Sequence, residues 1–196
     1  MKHEYCTPGI PDEEFHREPG VPMTKNEIRI LSLARLQLFP GAVLYDIGAG
    51  SGSISIEAGR SMPDVRVYAI EREARALELI RKNAAKFGVE LQLIEGVAPQ
   101  ALEPLPAADR IFIGGSGGHL DGIIQAGDRR LLPGGRMVVN SVSLFNGPRA
   151  FQLMEQLGYQ VEAFQVNIAF SRKKGGVLLW EARNPVTIIS GQKGDL

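Results

Sequence analysis

The chain is 196 residues long and 44% apolar, and its 22 acidic and 22 basic side chains give a formal net charge of zero. Such a chain suits one domain with a short appendage and a sizeable core, and its balance argues against nucleic-acid binding through bulk charge. The lone Cys6 excludes a disulfide framework or a cysteine zinc cluster, Met1–Tyr5 is no apolar signal, and no stretch nears the roughly 18 apolar residues of a membrane span.

A cytoplasmic chain without a metal site, acting on small molecules, is therefore expected. Residues 1–23 read as an N-terminal arm and 24–196 as a single domain. Four prolines, at 8, 11, 19 and 22, make the arm extended. Thr24 to Glu27 has capping-box spacing, with Thr24 as N-cap and Glu27 reaching back. It predicts a helix to about Leu38, ended by Pro40-Gly41.

From Val43 onward, β-branched runs alternate with stretches of helical spacing. Strands are expected at Val43–Ile47, Val65–Ile70, Leu91–Ile94, Arg110–Ile113 and Met137–Asn140. Helices fall between them at Ser53–Ser61, Glu73–Phe87, Leu120–Leu131 and Pro148–Leu157. In Glu73–Phe87, Ala74, Leu77, Ile80, Ala84 and Phe87 form one apolar stripe, and Gly88 is the stop. Pro133-Gly134-Gly135 is read as ending the next helix. This order predicts an α/β fold with a mostly parallel sheet covered by helices on both faces. Beyond Gly158, Tyr159–Phe170 and Val177–Glu181, continuing towards Ile189, read as long strands. The turn Ser171–Gly176 joins them into an antiparallel hairpin at one edge.

The segment Asp46-Ile47-Gly48-Ala49-Gly50-Ser51-Gly52 lies between a strand and a helix. Its glycines let the backbone turn sharply and let a ligand approach main-chain atoms. Glu71 ends the second strand, where an acid can accept both hydroxyls of a ribose. Asp46 is read as orienting the loop and a ligand's amino group, or as capping the loop's own amides. In the dinucleotide fingerprint G-x-G-x-x-G the third glycine comes later than Gly52; here Ser53 takes that slot. A leading acid with G-x-G-x-G spacing instead resembles methyltransferase motif I, which implies S-adenosylmethionine as cofactor.

Longer stretches narrow the resemblance. Gly9–Phe15, Gly20-Val21-Pro22-Met23-Thr24-Lys25, Tyr45–Ser53, Val67–Arg72, Phe112–Gly118, Leu132–Arg136 and Asn184-Pro185-Val186 look like the cobalamin-pathway precorrin methyltransferases. Members of that family methylate carbon 15 of precorrin-6B-type tetrapyrroles and decarboxylate the ring-C acetate. The resemblance implies a Rossmann-like class I fold with a seven-stranded sheet, a homotetramer, and a separate protein supplying the carbon-5 methylation. It implies cofactor contacts at Thr24, at Gly48, Ala49, Gly50, Ser51 and Gly52, and at Glu71 and Ala98. Thr24 also has a purely structural reading, as helix cap. One departure stands out: the family's Gly-Asp-Ala is Gly96-Val97-Ala98 here, so Val97 cannot accept the adenine amino group.

For the substrate, Gly114, Gly115, Ser116, Gly117 and Gly118 would let a flat macrocycle come near the backbone, with exposed amides for carboxylates. Arg172, Lys173 and Lys174 are candidate partners for acetate and propionate groups. The catalytic residues stay unassigned; His119 and His16 are candidates as proton carriers, and each also has a structural reading. Two alternatives remain open on the residues. One is a methyltransferase of RNA or protein, against which the balanced charge and missing Asn-Pro-Pro-Tyr signature count. The other is a non-enzymatic assembly protein that binds the same cofactor.

Overall fold

A computed structural model describes residues 7–194; His3, Cys6 and the rest of the first six residues of the arm lie outside them. The parallel strands are β1 (Val43–Ile47), β2 (Arg66–Glu71), β3 (Gln92–Glu95), β4 (Ala108–Ile113) and β5 (Leu131–Ser141). They alternate with helices α1 (Asn26–Leu36), which precedes β1, then α2 (Ser53–Ser61), α3 (Ala74–Phe87), α4 (Leu120–Arg130) and α5 (Asn146–Gln156). After α5 come β6 (Gln160–Val166), β7 (Ala169–Lys174), β8 (Val177–Ala182) and β9 (Val186–Gln192). The main sheet has seven strands in the order β3-β2-β1-β4-β5-β9-β6, with β9 antiparallel to both neighbours.

The interior strand β1 is buried on both faces, as its run Val-Leu-Tyr-Asp-Ile requires in a parallel sheet. Its odd positions, Val43, Tyr45 and Ile47, join a core with Ile123 and Ile124 of α4 and Leu153 of α5. Leu44 faces the other way and packs with Ile28 of α1 and Ile54 of α2. Asp46 shares that second face by the two-residue period of a strand, so its carboxylate is carried under α2.

Three expectations are corrected. First, α1 begins after Lys25, and no side-chain bond from that N-cap closes a capping box. The amide of Asn26 instead donates to Asp12 Oδ1 of the arm at 3.0 Å, and Glu27 pairs with Arg183 at 3.0 Å. Second, α4 stops at Arg130, and Pro133-Gly134-Gly135 lies inside β5 rather than between a helix and a strand. There the pairing with β4 shifts register, and Lys193 exchanges backbone bonds with Gly134 and Gly135. The strand therefore starts early and bends, as a bulge allows. Third, each long C-terminal strand is broken in two. Between the pairs Val166–Val186 and Ala169–Ala182, Asn167 and Ile168 face Arg183, Asn184 and Pro185. The β6–β9 half joins the main sheet; β7 and β8 form a separate two-stranded ribbon. Pro185, with no amide to donate, suits that break.

The arm is fastened to the domain. Ile10 and Phe15 are buried against Ile56 of α2, and the amide of His16 donates to Asn83 Oδ1 of α3 at 2.8 Å. Among the described residues no helix is long and apolar enough to cross a membrane.

Candidate active site

Parallel strands deliver their following loops to one edge, and here four such loops meet. The amides of Gly48 and Ala49 both donate to Ile70 O, at 3.0 and 3.2 Å, and Gly114 N donates to Ile47 O at 3.0 Å. These bonds tie the loops after β1, β2 and β4 together. A cavity of about 460 Å³ opens between them, walled by Gly48, Gly50, Glu71, Val97 and Gly114 and closed by Pro22 of the arm.

Two glycines are dictated by close approach. Gly48 has φ +71°, and a Cβ there would lie 2.6 Å from Gly115 O. Gly50 has φ +57°, and its Cβ would lie 2.6 Å from Pro22 O. The loop is thus pressed against β4's loop on one side and the arm on the other. Ser51 N donates to Pro22 O at 3.0 Å, and Asn83 Nδ2 holds Ser51 O at 3.0 Å.

Glu71 is nearly buried and organises the floor. Its Oε2 accepts Gly50 N at 2.9 Å, while Oε1 accepts Arg72 N at 2.7 Å and Glu73 N at 3.0 Å. A carboxylate has about four acceptor directions, so these three bonds leave one unused, and Glu71 lines the cavity. Asp46 lies behind the loop, fully buried, and its Oδ2 accepts Ser55 N at 3.1 Å and Ser55 Oγ at 2.6 Å. Burial pushes its carboxyl from 3.8 up to about 6, a rise opposed by the Ser55 bonds and aided slightly by Glu71.

That shift has a sign. The folded protein holds the Asp46 proton more tightly than the unfolded chain, so this group's contribution is fully present below pH 3.8 and is lost as pH rises through about 6. An isosteric Asp46→Asn exchange removes the ionisation. The stability difference, variant minus wild type, should therefore grow between pH 4 and 7 by on the order of 3 kcal/mol. Urea denaturation at both pH values measures it; a flat difference would refute the assignment.

A second cavity of about 430 Å³ adjoins the first, sharing Pro22 and Gly114–Ser116 as a common wall. Thr24, Lys25, Asn140, Val142, Arg183 and Asn184 complete it. It is assembled from the arm, the end of β5 and the break between β8 and β9. Two chambers divided by glycine backbone can hold two ligands with reacting atoms side by side, which is the geometry of group transfer.

The expected site residues divide as follows. Gly48, Gly50, Glu71, Val97, Ala98 and Gly114–Gly117 line the first chamber, and Thr24 lines the second. Asp46, Ala49, Ser51 and Gly52 lie outside both linings, in or behind the loop, as does Gly118 at the far end of its own loop. Arg172 and Lys173 stand on β7, outside both chambers, and Arg172 is 3.5 Å from Glu181. His119 is the N-cap of α4 and lines neither chamber. His16 is tied through its backbone to Asn83. Lys25, Asn140 and Arg183 also line the second chamber and are not among the expected site residues. Lys25 sat in plain view after Thr24, but nothing local placed Arg183 opposite it.

A family model described as precorrin methyltransferase domain matches residues 14–193. A protein of Pyrobaculum calidifontis named "Probable cobalt-precorrin-6B C(15)-methyltransferase (decarboxylating)" is 44% identical over 193 residues, 97% of this chain and 98% of that one. The Salmonella typhimurium cobalt-precorrin-6B C(15)-methyltransferase (decarboxylating) is 36% identical over 184 residues, covering 93% of this chain and 95% of its own. A crystal structure of precorrin-6Y C5,15-methyltransferase from Geobacter metallireducens superposes with a TM-score of 0.89 at 44% identity, covering 94% and 98% of the two chains.

Proposed function

The chain belongs to the precorrin methyltransferase family, and on that premise we propose that it methylates carbon 15 of a precorrin-6B-type tetrapyrrole with S-adenosylmethionine. The same enzyme decarboxylates the ring-C acetate, as a step of cobalamin biosynthesis. The observation that carries the reading is the pair of chambers sharing the Pro22 and Gly114–Ser116 wall.

S-adenosylmethionine, when bound, supplies an electrophilic methyl on a sulfonium. The chain's residues do the rest. Gly48 and Gly50 give the cofactor close backbone approach, with Ala49, Ser51 and Gly52 shaping the turn behind them. Glu71 turns its remaining acceptor to the ribose, and Asp46 positions the loop through Ser55. Ala98 packs at the adenine end. Thr24, expected at the cofactor, lies instead in the second chamber, where it and the Gly114–Ser116 backbone hold the macrocycle so that the nucleophilic carbon meets the methyl in line. Positioning and exclusion of water supply the acceleration, and the conjugated macrocycle receives the electron pair left by carbon dioxide.

Val97 gives the adenine amino group no acceptor. Restoring one by Val97→Asp should tighten cofactor binding about tenfold, the value of one charge-assisted bond. Isothermal titration decides it; equal affinities would contradict the role given to this position.

The assembly we propose is a homotetramer in the cytoplasm, with carbon-5 methylation left to a separate protein. Its support is the β7–β8 ribbon, which exposes Leu178 and Trp180 at 70% and 78%, an apolar face suited to further copies of this chain. Native mass measurement of the protein tests it.

Turnover tests the function itself. S-adenosylhomocysteine should be released in the presence of precorrin-6B and not of tRNA or protein acceptors; the reverse selectivity would refute the reading.

A further inference from the structure

The second chamber carries charge of one sign only. Among the described residues no aspartate or glutamate lines it, while two cations do, Lys25 from the start of α1 and Arg183 from the break between β8 and β9. The remaining lining is apolar side chains, glycine backbone, and neutral donors such as Asn140 and Asn184.

Arg183 is held in place before any ligand arrives. Its Nη1 lies 3.0 Å from Glu27 Oε2, its guanidinium covers the Phe170 ring at 4.5 Å, and its amide donates to Ile168 O at 2.9 Å. A fork fixed by a carboxylate on one side and a ring on its face keeps other N–H groups to offer. Lys25 is less fully neutralised. Its Nζ lies 3.8 Å from Asp12 Oδ2, yet that carboxylate also serves Arg29 at 3.3 Å and Arg17 at 3.9 Å. Burial holds the Lys25 ammonium below its ordinary value; Asp12 opposes this, and Arg17 and Arg183 add to it. Two cations that repel each other across a chamber with no acidic lining among the described residues are the complement of a flat ligand with anionic arms.

We infer that Lys25 and Arg183 bind two peripheral carboxylates of the tetrapyrrole and so fix how the macrocycle lies across the glycine wall. This rests on the function proposed above. It transfers carboxylate recognition from the ribbon cations to two residues 158 positions apart in numbering, brought together by the arm and by the break in the hairpin. Both are specificity-determining residues, since they touch substrate arms away from the reacting carbon.

The test is steady-state kinetics with precorrin-6B on wild type, Lys25→Gln, Arg183→Gln and the double variant. Each single exchange should raise KM about tenfold, with kcat changed far less, because a charge-assisted contact is lost while the reaction geometry is kept. Wild-type KM should rise with ionic strength, and the double variant should lose most of that dependence. Unchanged S-adenosylmethionine affinity by calorimetry shows that each variant is folded. Wild-type turnover with KM and its salt dependence unaltered in the double variant overturns this inference and leaves the proposed function standing. Failure of the wild type to accept precorrin-6B overturns both.

Discussion

Gly48→Ala should weaken S-adenosylmethionine binding by roughly 100-fold, about 2.7 kcal/mol, and lower the melting temperature as well. The cause is contact with backbone, which cannot swing aside. The new Cβ would sit 2.6 Å from Gly115 O, 2.8 Å from its N and 2.9 Å from its Cα. Relief requires the loops after β1 and β4 to part, and both chambers share that seam. The left-handed φ of +71° adds its own cost. Gly88 separates the two contributions. It caps α3 at φ +65° with nothing within 4 Å of an added Cβ, so Gly88→Ala should cost about 1 kcal/mol of stability and no affinity. Calorimetric titration of the two variants side by side is the check. Equal affinities for Gly48→Ala and wild type would mean the cofactor does not use this loop.

Arg29→Met should destabilise the protein by about 3–5 kcal/mol, because it strands a buried carboxylate. Arg29 and Glu57 are 0% and 1% exposed, and Arg29 Nε donates to Glu57 Oε2. The same guanidinium reaches Thr24 O at 2.8 Å and Asp12 Oδ1 at 3.3 Å, and also Ile10 O. It stacks on Phe15 with its centre 4.9 Å from the ring. Glu57 in turn accepts the amides of Gly9 and Ile10. One ion pair therefore joins the arm, α1 and α2, and the arm is what brings Pro22, Thr24 and Lys25 to the cleft. Urea denaturation of Arg29→Met, Glu57→Leu and the double variant should show the double loss smaller than the two single losses combined, by on the order of 1–3 kcal/mol. Strict additivity would contradict the coupling. Limited proteolysis should also cut the arm sooner in Arg29→Met than in wild type.

What the sequence made legible was local. The expected bounds of β1 and α2 match residue for residue, because a β-branched run and a glycine loop announce them within a few positions. Gly88 stops α3 as its φ and its bond to Ala84 O require. What stayed hidden depends on partners far along the chain. The cap of α1 comes from Asp12, fourteen positions upstream of Asn26, so four residues of capping-box spacing pointed to the wrong oxygen. Pro133-Gly134-Gly135 reads locally as a stop, yet β4 and Lys193 hold it as a bend within β5. Asp46 and Glu71 are the two acids that flank the loop. Their division of labour, one behind it on Ser55 and one facing the cavity, follows from strand alternation that only the paired sheet fixes. Arg172 and Lys173 are a cluster visible in the sequence, whereas the cations of the second chamber, Lys25 and Arg183, are single residues made adjacent by folding.

The central claim is that two ligands meet across the Gly114–Ser116 wall and exchange a methyl group. Mass spectrometry of precorrin-6B incubated with the protein and S-adenosylmethionine tests it most directly. The account predicts a product that has gained one methyl group and lost one carbon dioxide, formed one for one with S-adenosylhomocysteine. An unaltered tetrapyrrole from a protein that binds S-adenosylmethionine would contradict it.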